Sequence, residues 1–211
     1  MSAHAVEVLS LTTADDVDLE AEAVVPDGAT AAVLLAHPHP LQGGSMRSLV
    51  TSELFVNLPD HACAVVRFNF RGVEGSSGSH GGGRDERQDV VAGLDALEAL
   101  APGLPVVVAG WSFGADVSLS VLDERIDRWF AVAPPLRILT PAEYVAGADP
   151  RPKLLAVPER DQFNPPDACR AKVADWVATD LEVIAGADHF LAGRTDRLVD
   201  LLVGSLPRGR R

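Results

Sequence analysis

Ser112, Asp161 and His189 have the residue types and chain order for nucleophilic acyl chemistry. A serine hydroxyl attacks a carbonyl only when a base takes its proton, and the base needs an acid to orient it. Ser112 lies in Gly110-Trp111-Ser112-Phe113-Gly114, straight after the apolar run 106–109. Small residues two before and two after the serine let a strand and a helix pass closely at a tight corner. Taken alone, the pentapeptide also fits a glycine turn with Ser112 as a helix N-cap. His189 is the one histidine after Ser112, so no other downstream base competes with it, although a loop histidine solvating a strand end has the same local appearance. Asp161 follows the next-to-last strand-like run. Glu159, Asp167 and Asp188 lie near the same strand ends, and Asp188 is the weaker choice because neighbours in an extended loop point apart.

The same chemistry needs two N–H groups aimed at the charge that develops on the carbonyl oxygen. Phe113, at the start of the helix after the serine, is expected to supply one. The loop His37-Pro38-His39-Pro40-Leu41-Gln42-Gly43-Gly44 is expected to supply the other. Pro38 and Pro40 have no N–H, which leaves His39 first and Leu41 second. Trp111 and Phe113 flank the serine, and either is compatible with core. Trp111 and Leu41 are assigned to the substrate pocket. His37-x-His39 has a spacing seen in metal sites, but alternate strand residues point to opposite sides and no Cys or acidic cluster accompanies them. No metal and no cofactor is expected, and a buried His37 is expected to brace the loop.

These residues need elements to hold them. Residues 6–11 and 17–25 alternate apolar and polar and predict an antiparallel hairpin. Apolar runs at 31–36, 63–68 and 106–109 predict buried strands, and 129–133, 153–157 and 181–184 are read as three further strands. Helical spacing predicts helices over 45–58, 84–100, 115–122, 167–178 and 196–206. In the second helix Val90, Val91, Leu94, Leu97 and Leu100 are read as the inner face, with Arg84, Asp85, Glu86, Arg87 and Asp89 toward solvent. In the fourth, Val173, Trp176 and Val177 are read as inward. Strand–helix alternation after a leading hairpin predicts a three-layer α/β/α sandwich with a mostly parallel sheet, in one domain of residues 1–211. Ligands bind such sheets at the carboxyl ends of the strands. His37, Arg71, Ser112, Asp161 and His189 should therefore share one rim.

Composition excludes several classes. A net charge of −12 argues against nucleic acid, which is held by clustered Lys and Arg. No apolar run is long enough for a membrane span, and the start of the chain lacks a basic segment followed by an apolar core. Two cysteines make no disulfide framework, so a cytoplasmic setting is expected. The basic tail 207–211 reads as a solvated terminus. Gly72-x-x-Gly75-x-x-Gly78 lacks the spacing of a nucleotide loop and reads as a flexible turn, which Arg71 is expected to anchor on a carboxylate.

With those motifs assembled, the chain resembles the α/β-hydrolase superfamily along nearly its whole length. It looks most like small lidless bacterial hydrolases related to dienelactone hydrolase. His37-Pro38-His39-Pro40-Leu41-Gln42-Gly43-Gly44, Arg67-Phe68-Asn69-Phe70-Arg71-Gly72-Val73 and Gly110-Trp111-Ser112-Phe113-Gly114 carry the likeness in that order. The resemblance implies a serine hydrolase with Ser112, Asp161 and His189 as its triad. The sequence departs from the family at Glu74, where glycine is usual. It departs from dienelactone hydrolase at Ser112, where that enzyme has cysteine. About twenty residues separate the strands at 129–133 and 153–157, too few for a helical cap. An open site of that kind suits small carboxylic esters or thioesters, and no apolar surface of the kind that binds a lipid interface is expected. Amide hydrolysis or acyl transfer by the same triad is the alternative within enzymes. A non-catalytic binding protein on the same fold is the alternative outside them.

Overall fold

The computed structural model describes residues 4–206. The basic tail and the first three residues of the chain lie outside them. Eight strands make one sheet: β1 Glu7–Thr12, β2 Asp18–Val24, β3 Ala31–Ala36, β4 Cys63–Phe68, β5 Val106–Trp111, β6 Ile126–Val132, β7 Lys153–Pro158 and β8 Thr179–Ile184. Their order is β1-β2-β4-β3-β5-β6-β7-β8. β1 and β2 form the antiparallel hairpin, and β2 joins β4 antiparallel. Every later pairing is parallel.

The helices are α1 Leu49–Asn57, α2 Glu86–Leu100, α3 Phe113–Ser118, α4 Pro166–Lys172 and α5 Thr195–Ser205. Alternation along the strands sorts the apolar side chains between two layers. Val33, Leu35, Val65 and Val107 point to the face covered by Val50 and Leu54 of α1 and by Leu198 and Leu202 of α5. Leu34, Val66 and Val108 point the other way, under Val90, Leu94 and Leu97 of α2 and Cys169 of α4. Continuous apolar strands are what burial on both faces requires, and the three-layer reading holds.

Several details differ from expectation. Glu86 and Asp89 of α2 are fully buried, not solvent-facing. Each is drawn in by donors outside the helix: N–H groups of the preceding glycine loop for Glu86, and Arg71 for Asp89. The first helix starts at Leu49, and its inward residues are Val50, Leu54 and Phe55, while Leu49 and Val56 are exposed. α4 ends at Lys172, which leaves Val177 exposed in the turn into β8. β6 begins three residues earlier than the apolar run, at Ile126, because its β5 partner extends the ladder past the most apolar stretch.

The feature that positions the site is the reversal of strand order at β3. β4 pairs with one edge of β3 and β5 with the other. Ala36 and Gly110 are register partners, so the chain leaves β3 and β5 at the same level. Between β6 and β7 there are only two short 3-10 turns, Pro141–Glu143 and Val145–Ala148, and no cap. Among the described residues, no helix is long and apolar enough to cross a membrane.

Candidate active site

Ser112 sits at the junction of β5 and α3 with φ 54° and ψ −115°. A non-glycine residue there costs on the order of 1–3 kcal/mol, which the surrounding structure must hold in place. The two glycines of the motif explain how it is held. A Cβ on Gly110 would collide with the backbone of Gly114, and a Cβ on Gly114 would collide with the carbonyl of Ala36. The elbow thus presses α3 against β5 and against the end of β3.

The hydroxyl of Ser112 meets His189: Oγ lies 2.9 Å from Nε2. On the far side of the ring, Nδ1 lies 2.8 Å from Asp161 Oδ2. Asp161 Oδ1 accepts from the N–H groups of Phe163 at 2.8 Å and Asn164 at 3.1 Å, so the carboxylate has one oxygen fixed and one free for the imidazole. Asp161 and His189 are both buried. Trp111 donates its indole N–H to the His189 carbonyl at 3.3 Å, tying the loop after β8 to β5. The rings of Phe163 and Phe190 stand edge-on to the imidazole, with centroids 4.5 and 5.8 Å away. Of the other acids near these strand ends, Glu159 Oε2 accepts from Gly186 N, and Asp188 Oδ1 from Phe190 N, so both serve local turns.

The loop after β3 is braced from inside. His37 is fully buried; its Nδ1 lies 2.7 Å from Pro38 O, and its Nε2 accepts from the Phe70 N–H at 3.0 Å. That pairing requires the neutral Nδ1–H tautomer, and burial pushes the ring down to about 4. With both nitrogens engaged, His37 has no lone pair for a metal. Among the described residues, no group of three or more metal-ligating side chains occurs. A Cβ on Gly44 would collide with the Pro38 carbonyl, so glycine is required where the loop closes.

Leu41 and His39 are separated by their hydrogen bonds. The Leu41 N–H donates to His39 Nδ1 at 3.2 Å and is taken. The N–H groups of His39 and Phe113 meet no acceptor among the described residues. The His39 ring lies 5.1 Å from Phe113 and 5.3 Å from His80; burial, and then His80, lowers its affinity for a proton. His80 Nδ1 is 2.8 Å from Glu86 Oε1, although without hydrogen-bond geometry.

A cavity of about 280 Å³ opens beside Ser112, lined in part by His39, Trp111, Arg137, Ile138, Phe163 and Phe190. Trp111 thus lines it, whereas Leu41 is 72% exposed and stands outside it, with Gln42 in its place. Leu49, Phe163 and Phe190 leave apolar surface open at the mouth.

Sequence reasoning missed Asp116, which is fully buried one turn into α3. Its carboxylate accepts from the N–H groups of Leu136 at 2.9 Å, Arg137 at 3.1 Å and Ile138 at 3.1 Å, and from Tyr144 OH at 2.8 Å. Burial raises the acid's affinity for its proton, while these donors pull the other way. The signal was an acid at the start of an otherwise apolar helix. Arg71, as expected, anchors its loop on carboxylates, reaching Asp89 at 2.7 Å and Asp15 at 2.8 Å. Glu74, in the family's glycine position, has φ 48°, and Arg47 and Asn69 hold its carboxylate at 2.8 and 3.0 Å.

Comparison with known proteins places the fold. No protein-family model matches the chain. It is 31% identical over 186 residues to an uncharacterized protein of Rickettsia prowazekii, covering 83% of this chain and 77% of that one. An α/β serine hydrolase without a lid from Xanthomonas campestris superposes with a TM-score of 0.85 at 24% identity, covering 100% of this chain and 99% of that one, and shares the fold. An α/β serine hydrolase homologue from Coxiella burnetii superposes with a TM-score of 0.82 and 30% identity, covering 98% of this chain and 99% of that one. With that identity over the full length of both chains, the protein belongs to the α/β serine hydrolases.

Proposed function

We propose that this hydrolase cleaves small carboxylic esters or thioesters through an acyl-enzyme on Ser112. The observation that carries the reading is the unbroken path Ser112 Oγ–His189–Asp161, at 2.9 and 2.8 Å, on a buried scaffold. Asp161 accepts a hydrogen bond from Nδ1–H, which fixes the tautomer and leaves Nε2 as the base. As Ser112 Oγ attacks the substrate carbonyl, its proton passes to Nε2, and Asp161 stabilises the imidazolium. The oxyanion of the tetrahedral intermediate is held by the N–H groups of Phe113 and His39. His39 is preferred over Leu41 because the Leu41 N–H is already bonded. Collapse breaks the carbonyl–leaving-group bond, and Nε2–H protonates the departing alkoxide or thiolate. Water, deprotonated by Nε2, then attacks the acyl carbon; the bond from that carbon to Ser112 Oγ breaks, and Nε2–H returns the proton to Oγ.

No cofactor enters these steps. The cavity's size and open mouth fit a small acyl group, with Trp111 as part of its wall. Cys63 and Cys169 are free and buried, which fits a reducing cytoplasmic setting. The test is turnover of p-nitrophenyl acetate, phenyl thioacetate and p-nitroacetanilide by wild type and Ser112→Ala. The ester and thioester should be hydrolysed by wild type, and the variant should lose about a thousandfold or more. Equal turnover by the two proteins, or turnover confined to the anilide, would overturn the reading.

A further inference from the structure

The protein carries a net charge of −12, yet no carboxylate lines the cavity beside Ser112. Apart from its two histidines, its one ionisable lining side chain is Arg137. Arg47, Arg67, Arg71, Arg84, Arg87, Arg125 and Arg151 each reach a carboxylate within 4 Å, whereas Arg128, Arg160, Arg170, Arg194 and Arg197 stand away from the cavity without such a pair. Among the described residues, no carboxylate pairs with Arg137. Its guanidinium carbon lies 5.0 Å from the Phe163 ring centroid. The aromatic face shields one side of the guanidinium, and its N–H edge remains free for a planar anion.

The wall that presents Arg137 is held from three directions. Asp116, on the nucleophile's own helix, takes the N–H groups of residues 136–138. Asn164 Nδ2 donates to Pro134 O at 2.8 Å, and Lys172 Nζ donates to Pro135 O at 2.9 Å. Leu136 is held at φ 48°, a conformation an unsupported leucine would leave. A surface arginine that only solvates a loop needs no such scaffold.

We propose that Arg137 forms an anion subsite of this cavity, selecting ester or thioester substrates that carry a carboxylate on the acyl or the leaving part. The inference rests on the esterase reading above and names the substrate class of that site. A carboxylate and a guanidinium meet through two parallel N–H···O bonds, which fix orientation as well as add affinity. The effect should therefore fall mainly on KM, with any kcat change reflecting better placement of the carbonyl.

The experiment compares kcat/KM for two matched pairs. Mono-p-nitrophenyl adipate against p-nitrophenyl hexanoate places the charge on the acyl part. 4-Acetoxybenzoate against its methyl ester places it on the leaving part. Wild type should prefer the anionic member of at least one pair by about tenfold at low ionic strength, and less as salt is added. Arg137→Gln should bring that ratio close to one, Arg137→Lys should restore part of it, and Arg137→Glu should reverse it. An unchanged ratio in Arg137→Gln, or no preference by wild type in either pair, would overturn the subsite while leaving the esterase reading intact. Failure of wild type to hydrolyse any of the four esters would overturn both.

Discussion

Asp161 faces His189 with one carboxylate oxygen while two backbone N–H groups hold the other. This division of labour makes the acid directional, and it separates Asp161 from the acids nearby. In Asp161→Asn the amide oxygen keeps the Phe163 and Asn164 N–H groups, so the NH₂ must point at Nδ1. The imidazole is then held with its proton on Nε2, where it cannot take one from Ser112. We expect kcat to fall by about 10⁴ with little change in stability, checked by steady-state kinetics beside thermal unfolding. A variant that loses activity only in proportion to lost folded protein would contradict this role.

Close approach at the elbow predicts a contrast between two glycines. Gly114→Ala drives a methyl group into the Ala36 carbonyl and should destabilise by about 3 kcal/mol or more. Gly204→Ala in α5 meets nothing within 4 Å and should gain up to about 1 kcal/mol from helix propensity. Urea unfolding of the two variants measures both.

How far such features were legible depended on how local their cause is. Ser112 and Asp161 each follow a buried strand, and a strand that runs apolar and then breaks is visible in a short window. His189 follows the mostly exposed edge strand β8 and was marked by its place as the one histidine after Ser112. The sheet followed for the same reason. Glu86 and Asp116 were not legible as buried, because a carboxylate in a helix ordinarily faces water. What reverses the preference is a set of N–H donors: Gly81 and Gly83 for Glu86, and residues 136–138, twenty or more positions on, for Asp116. Leu41 failed as a pocket residue for a related reason: the 3-10 turn Pro40–Gln42 rotates it outward.

The Asp116 cluster yields a graded prediction. Tyr144→Phe removes one donor from a carboxylate that keeps three, and also the acceptor of the Leu139 N–H, and should cost about 1–2 kcal/mol. Asp116→Ala orphans three backbone N–H groups and the tyrosine hydroxyl, and should cost about 3 kcal/mol or more. Chemical denaturation of both variants provides the comparison; equal costs would contradict the idea that the carboxylate organises the loop.

His37 makes stability depend on pH. Its folded value of about 4 lies below the ordinary value of 6.5, so between these pH values protons bind the unfolded chain more strongly. The stabilisation from keeping His37 neutral is complete above about pH 6.5 and is lost as pH falls toward 4. It amounts to about 3 kcal/mol at most. His37→Asn should unfold more readily at pH 7.5 and show a shallower loss between pH 6.5 and 4.5 than wild type. Parallel slopes for the two proteins would contradict the buried neutral imidazole.

The central claim is that Ser112 is the nucleophile, activated by His189. Its most direct test is intact-mass analysis with peptide mapping after exposure of the folded protein to a fluorophosphonate. A single adduct on Ser112 in wild type, absent in Ser112→Ala and strongly slowed in His189→Ala, is the predicted result. An unlabelled Ser112 in folded wild type, or labelling that proceeds equally without His189, would contradict it.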